Sequence, residues 1–309
     1  MARRVSEIST SLIRRMFEIV ERAKKEGREV ISLSIGEPDF DTPLEVIEKV
    51  YRYMKAGYTH YTSNMGLEEL RVQIAERYGV ESDEVMVTVG ASEALLNASL
   101  AFIERGSSTL IQTPGFLSYF TYAKLCESKI YELKTYETDF KISPEIIEDV
   151  PSDSSVVFLN YPNNPTGAVM NGRELREIYE IFSEKKVLVI SDEVYDQIYY
   201  DVKPGSLAGE ENAVVINGFS KTLAMTGWRI GFVIARKELL NEMLKIHQVN
   251  GVCAPAYAQK AIAEILEEKK DREIVKKMVS EFRKRRDFQK ADSNNYPTTH
   301  HNWRVIRLL

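Results

Sequence analysis

Cysteine and histidine are scarce in this chain: two cysteines, Cys126 and Cys253, and four histidines stand among 309 residues. Cysteines so few and so far apart offer neither the close spacing of a metal knuckle nor the density of a disulfide framework. They read as buried thiols of a reducing compartment. His60, His247, His300 and His301 form no acid–base or metal-binding constellation, so no metal site is expected. Long apolar runs are missing too. No stretch approaches the roughly 20 apolar residues that a membrane-crossing helix needs. The amino end, MARRVSEISTSLIRRM, has positive charge without the apolar core of a secretory signal, and the expected location is the cytoplasm. A basic surplus is also absent. The formal net charge of -5 provides no global field for a phosphodiester backbone, so no nucleic-acid partner is expected. The one dense basic run, Arg283-Lys284-Arg285-Arg286, follows a helical pattern and reads as a solvated helix face.

What is present is ordinary globular composition, 44% hydrophobic and 28% charged, in a chain long enough for one large domain with a smaller one attached. Leu12, Ile13, Met16, Ile19, Val20 and Ala23 recur at helical spacing, predicting a helix from about Glu7 to Glu26, followed by an extended VISLSIG. Pro43 to Ala56 and Gly66 to Tyr78 read as helices around the turn-rich GYTHYTSNMG. Strands and helices then alternate. EVMVTVG, STLIQTP, KIYELKTY, SVVFLNYP, KVLVISD and AVVINGFS read as strands, with helices over Ala91 to Glu104, Phe116 to Glu127 and Asn171 to Lys185. Val156 to Leu159 and Val187 to Ile190 are apolar at every position, as expected where helices cover both faces of a parallel sheet. The class is therefore α/β, doubly wound. After a charged helix over Lys269 to Arg286, the remaining residues are polar and turn-prone until the last few.

In such sheets ligands sit beyond the carboxyl ends of the strands, which directs attention to the residues just after each one. Gly90 lets a ligand approach the backbone, and the amides of Ala91 and Ser92 would open a helix whose positive end favours a phosphate; the alternative is a plain turn with Ser92 as cap. Ser220 and Arg229 could bond the same dianion. Lys221, shielded from water and near Arg229, could lose protonation and condense with an aldehyde, or it could be a surface lysine. Asp192 ends an apolar strand, where an unpaired charge is costly, so it needs a cation such as a protonated ring nitrogen, or else serves as a cap or ion-pair partner. Tyr195 and Asn164 could donate to a phenolate oxygen, and Phe116 could stack on a ring, although each aromatic also suits a plain core.

The segments SLSIGEPDF, YPNNPTG, SDEVYDQIYY and GFSKTLAMTGWRIG closely resemble the class I/II aminotransferases of pyridoxal phosphate (PLP) fold type I, the aspartate aminotransferase superfamily, from about Glu29 to Arg286. The resemblance implies a mostly parallel seven-stranded sheet with helices on both faces and pyridoxal 5'-phosphate as cofactor. It implies that Lys221 holds the cofactor covalently and shuttles a proton, that Asp192 partners the pyridine nitrogen, and that Tyr195 and Asn164 bond the ring oxygen. Phe116 would stack on the ring, and Ser220, Arg229, Gly90, Ala91 and Ser92 would form the phosphate cup. Gly36 and Asn164 would lie at the substrate, and Tyr61 would reach the neighbouring subunit's phosphate, which implies a homodimer with shared active sites.

The implied reaction exchanges an amino group between an amino acid, aspartate-like or related, and a 2-oxo acid. Elimination by a PLP-dependent β-lyase and a catalytically impaired PLP-binding relic are the alternatives. The expected division is residues 1–40 contributing to a small domain, 41–268 as the large cofactor-binding domain, and 269–309 as a long helix with an incomplete, divergent remnant of the small domain. Family members continue through an arginine that grips the substrate carboxylate. The context of Arg304 and Arg307 does not match it, so an impaired substrate site is expected.

Overall fold

The computed structural model describes residues 3–8, 12–31 and 36–293. Its centre is a seven-stranded sheet made of β1 (Val85–Thr88), β2 (Ser108–Thr113), β3 (Lys129–Lys134), β4 (Ser154–Asn160), β5 (Leu188–Asp192), β6 (Ala213–Gly218) and β7 (Gly231–Ile234). The spatial order is β1-β7-β6-β5-β4-β2-β3. Only β7 runs against its neighbours, β1 and β6; the other pairs are parallel.

The unbroken apolar runs follow from this placement, because successive side chains of a strand point to opposite faces. Val157 and Leu159 of β4 enter one buried cluster with Val189, Val215 and Leu110. Val156 and Phe158 enter another with Ile190, Val214, Ile216 and Met86. Each face is thus a core in its own right. At the edge, β3 buries only Leu133 fully, and its lysines face water, as suits a strand with one unpaired side.

Helices Leu44–Lys55, Glu68–Tyr78, Ala91–Phe102, Ser118–Leu125 and Gly172–Glu184 stand where the hydrophobic period predicts them. The last is opened by Asn171, whose side chain accepts from the amides of Arg173 and Glu174 while Glu174 reaches back to the Asn171 amide. Toward the amino end the expected single helix is described as Arg3–Ser6 and Leu12–Lys25. The last described helix runs Lys270–Ser293, past the expected stop at Arg286. The polar residues there carry no helical stripe, yet none of them through Ser293 is a proline or glycine that would break a helix.

Three elements have no clear sequence signal. β7 is four residues long and opens on a glycine. Helix Lys237–Asn250 buries only Leu240, Met243 and His247. Helix Ala256–Glu267 packs against helices 44–55 and 68–78, and four of the residues it buries are alanines, whose weak hydrophobicity blurs the stripe.

The capping pair makes a direct prediction. Asn171→Ala should cost about 1 kcal/mol and Asn171→Gly only a few tenths, read as the shift in urea midpoint; no loss in Asn171→Ala would mean that the cap's hydrogen bonds do not hold this helix end.

Candidate active site

Lys221 lies in the single-turn helix Phe219–Thr222 that follows β6 directly. Its Nζ donates to the Gly36 carbonyl at 2.6 Å and lies 5.9 Å from the centre of the Tyr195 ring. Burial lowers its pKa below the ordinary lysine value; Glu37 and Asp192 push back upward, and Arg229 pushes further down. No acid flanks Lys221 in the sequence, so folding supplies both carboxylates.

Asp192 ends β5 beside Asn160 of β4 and is only 4% exposed. Burial raises its carboxyl to about 6, against the pull of a Tyr119 hydrogen bond, the Val194 amide and the Lys221 charge. Tyr119 Oη donates to Oδ2 at 2.7 Å, and the Val194 amide to Oδ1 at 3.3 Å. Among the described residues no arginine or lysine makes an ion pair with it. The carboxylate is thus desolvated and held by one hydroxyl and one backbone amide. Tyr119 was not legible as a site residue: its ring stacks on Phe158 at 4.7 Å and meets Phe116 edge-on at 5.5 Å, and its contact with Asp192 spans 73 residues.

The turn after β1 is built around close backbone approach. Gly90 has φ +78°, and a Cβ there would come within 2.4 Å of Arg229 Nη2. Arg229 itself sits in the left-handed region with φ +60°, and its Nη1 donates to the Thr226 carbonyl at 2.8 Å. Gly231 completes the fit, since a Cβ there would lie 2.5 Å from the Ala91 nitrogen. The guanidinium is thus held against the start of helix 91–102. Gly90 is the N-cap residue and no side chain caps this helix, so Ser92 is not the cap that the alternative reading allowed. Ser220 is half-buried one residue before the lysine.

Tyr195 is 6% exposed and shares a side-chain hydrogen bond with Asn164, while burial raises its hydroxyl pKa. The Asn164 amide donates to Asn160 Oδ1 at 2.7 Å, and Asn160 Nδ2 to the Asp192 carbonyl at 2.8 Å, tying the loop after β4 to the end of β5. Phe116 is half-buried beside Tyr119. Folding therefore gathers Lys221, Asp192, Tyr195 and Asn164 into one neighbourhood, with Gly36 at the lysine and Phe116 against Asp192's partner. Gly90, Ala91, Ser92, Ser220 and Arg229 form the adjoining turn. Tyr61 stands apart, 86% exposed.

The basic run is not a simple solvated face. Arg285 pairs with Asp39 through two 2.8 Å bonds and lies over Phe40, and Arg286 pairs with Asp201 at 2.7 Å and stacks on Tyr200 at 4.5 Å. Arg283 also bonds Asp201, at 3.1 Å. Period and charge density cannot show that acids on two distant segments meet this helix. Arg304 and Arg307 lie outside the described residues.

A second group of buried acids escaped sequence reading. Glu193 is 1% exposed and is raised to about 7 by burial, offset by bonds from Ser206, Leu207 and Ser191. Beside it, burial also raises Asp196, which accepts the Tyr78 hydroxyl at 2.7 Å; Tyr78 Oη in turn accepts from Asn217 Nδ2 at 3.0 Å.

Set beside known proteins, residues 28–294 match the family described as Aminotransferase class I and II. The aspartate aminotransferase of Pyrococcus abyssi is 40% identical over 300 residues, covering 93% of this chain and 76% of that protein. The aromatic-amino-acid aminotransferase 2 of Thermococcus litoralis is 36% identical over 298 residues, covering 92% and 76%. Among solved structures, Thermus thermophilus aspartate aminotransferase with maleate superposes with a TM-score of 0.89 at 30% identity, covering 93% of this chain and 78% of that one.

A carboxyl that holds its proton more tightly folded than unfolded makes stability fall as pH rises between the two values. For Glu193 that window runs from the ordinary 4.5 to about 7, and for Asp192 from 3.8 to about 6. Between pH 6 and 7 the fall in the cofactor-free protein's melting temperature should therefore be due mainly to Glu193 and should flatten in Glu193→Gln. An unchanged slope in that variant would assign the dependence elsewhere.

Proposed function

Because this chain belongs to the class I and II aminotransferases, we propose that Lys221 is its covalent cofactor tether and proton carrier, with Asp192, Arg229 and the turn at Gly90 as the principal cofactor anchors. The protein is a pyridoxal-phosphate-dependent aminotransferase. Its residues fit that group. Among the described residues the buried Asp192 carboxylate makes no ion pair, a glycine leaves room beside the Arg229 guanidinium, and no side chain caps the adjoining helix start.

When bound, the cofactor supplies an aldehyde that condenses with amines and a protonated ring that withdraws electrons from the carbon being deprotonated. The chain's own residues do the rest. Asp192, desolvated and braced by Tyr119, favours a proton on the ring nitrogen, because an unneutralised carboxylate there is costly. Lys221 would be the residue that carries the proton removed from the substrate Cα. Its lowered pKa helps it act as a free amine. Tyr195 and Asn164 would hold the ring oxygen, Phe116 would cover the ring, and the Ala91 and Ser92 amides, Ser220 and Arg229 would hold the phosphate. Gly36, whose carbonyl meets Lys221, and Asn164 border the substrate.

The substrate we assign is aspartate or a related amino acid, with a 2-oxo acid as its counterpart. Relatives named for aspartate and for aromatic amino acids support that breadth. The highly exposed Tyr61 suits a residue that completes a neighbouring subunit's site, which supports a homodimer. We place the enzyme in the cytoplasm; among the described residues no helix is long and apolar enough to cross a membrane.

The observation that carries the assignment is Lys221, held at the Gly36 carbonyl and facing the Tyr195 ring, in the same neighbourhood as a buried Asp192 that makes no ion pair among the described residues. Borohydride treatment of the cofactor-loaded protein should fix a pyridoxyl group on the peptide containing Lys221, found by mass spectrometry. Lys221→Ala should lose transamination of aspartate by on the order of 10³-fold or more. A label on another lysine would overturn the tether, and ammonia released in place of amino transfer to a 2-oxo acid would favour elimination.

A further inference from the structure

Glu93 occupies the first turn of helix 91–102, immediately after Ser92, yet its carboxylate turns back into the protein. Oε2 accepts the Val89 amide at 2.8 Å; Oε1 meets His247 Nδ1 at 2.8 Å and also accepts from the Asn97 amide. The imidazole is fully buried and the carboxylate only 12% exposed. Asn97 is held in turn by Asn250 Nδ2 at 2.6 Å. A Cβ at position 251 would lie 3.1 Å from Glu93 Oε1 and 3.2 Å from His247 Cε1, so glycine there leaves the pair uncrowded. Beyond it, the Val252 carbonyl accepts Asn64 Nδ2 at 2.6 Å, within the segment that carries Tyr61.

A carboxylate can only accept, so the His247 proton sits on Nδ1 and the ring donates to Glu93. His247 Nε2 is buried without a hydrogen-bond partner among the described residues. Burying an unpaired ring nitrogen is costly, and a side chain kept only to fill space would be apolar. The compensation lies in what the other nitrogen does. It fixes the rotamer of Glu93, and Glu93 fixes the amide of Val89, the residue at which the chain leaves β1 for the Gly90 turn.

We infer that Glu93, locked by His247, is a positioning residue for the phosphate-holding turn: by gripping Val89 it aims the Ala91 and Ser92 amides without touching the cofactor. This rests on the cofactor reading above. It extends that reading to a buried hydrogen-bonded pair outside the phosphate cup, joining the cup to the carboxyl end of helix 237–250.

The test compares two ligands on the cofactor-free protein, pyridoxal 5'-phosphate and pyridoxal, which lacks the phosphate. Glu93→Ala should weaken binding of the phosphorylated ligand about tenfold and of pyridoxal less than about twofold, the scale seen when residues that orient direct metal ligands are lost. His247→Leu should give the same selectivity with a smaller loss. Glu93→Gln should restore most of the affinity, because its amide oxygen can still accept from Val89. If Glu93→Ala does not fold, His247→Leu and Glu93→Gln decide the question. Equal losses for both ligands would reduce the pair to a structural role, and no loss for either would remove its role; both overturn the inference. A parent protein that fails to bind the phosphorylated ligand at all would instead overturn the cofactor reading.

Discussion

A carboxylate withdrawn from water at the end of β5 sets the terms for the rest of the site. Asp192 could have been neutralised by a neighbouring arginine, as buried acids commonly are. Instead its direct hydrogen bonds come from a tyrosine hydroxyl and a backbone amide, and its pKa is pushed up to about 6. The site therefore holds unsatisfied electrostatic demand, directed at whatever lies beyond the strand. The two faces of the sheet make this possible, because cores on both sides leave the strand end little access to water.

The positive groups near it are arranged in the same spirit. Lys221 is attracted by Glu37 and Asp192, yet burial is the larger influence and keeps its pKa below the ordinary value. Arg229 is committed by its left-handed backbone and its bond to Thr226, so its guanidinium lies against Gly90. The glycines at 90 and 231 act as a pair: removing two side chains lets the start of a helix and the start of β7 meet at backbone distance.

Much of this is legible in the sequence, and the reasons differ by residue. Strands that end in Asp192 and Gly218, or run on into Gly90, announce themselves by apolar runs closed by a polar residue or glycine, and doubly wound sheets place ligands at such ends. Asn171 and Glu174 mark a helix start by spacing alone. Tyr119, Asp196 and Tyr78 were invisible for the opposite reason, since their contacts bridge 73 and 118 residues and leave no local trace. Helix 256–267 lines much of its inner face with alanine, which blurs its period, and β7 is too short and too glycine-led to stand out. The arginines of the run 283–286 look like any charged helix face until Asp39 and Asp201 arrive from elsewhere.

Those arginines belong to a helix that touches two parts of the site at once. Phe282 meets Phe40 edge-on at 5.4 Å, a few residues past the carbonyl that receives Lys221, while Met278 and Phe282 join Tyr195 and Ile198 in a small apolar cluster. Helix 270–293 consequently behaves as a crossbar. One rigid element thus braces both the segment beside the lysine and the ring behind it, so trimming Phe282 would loosen the two together.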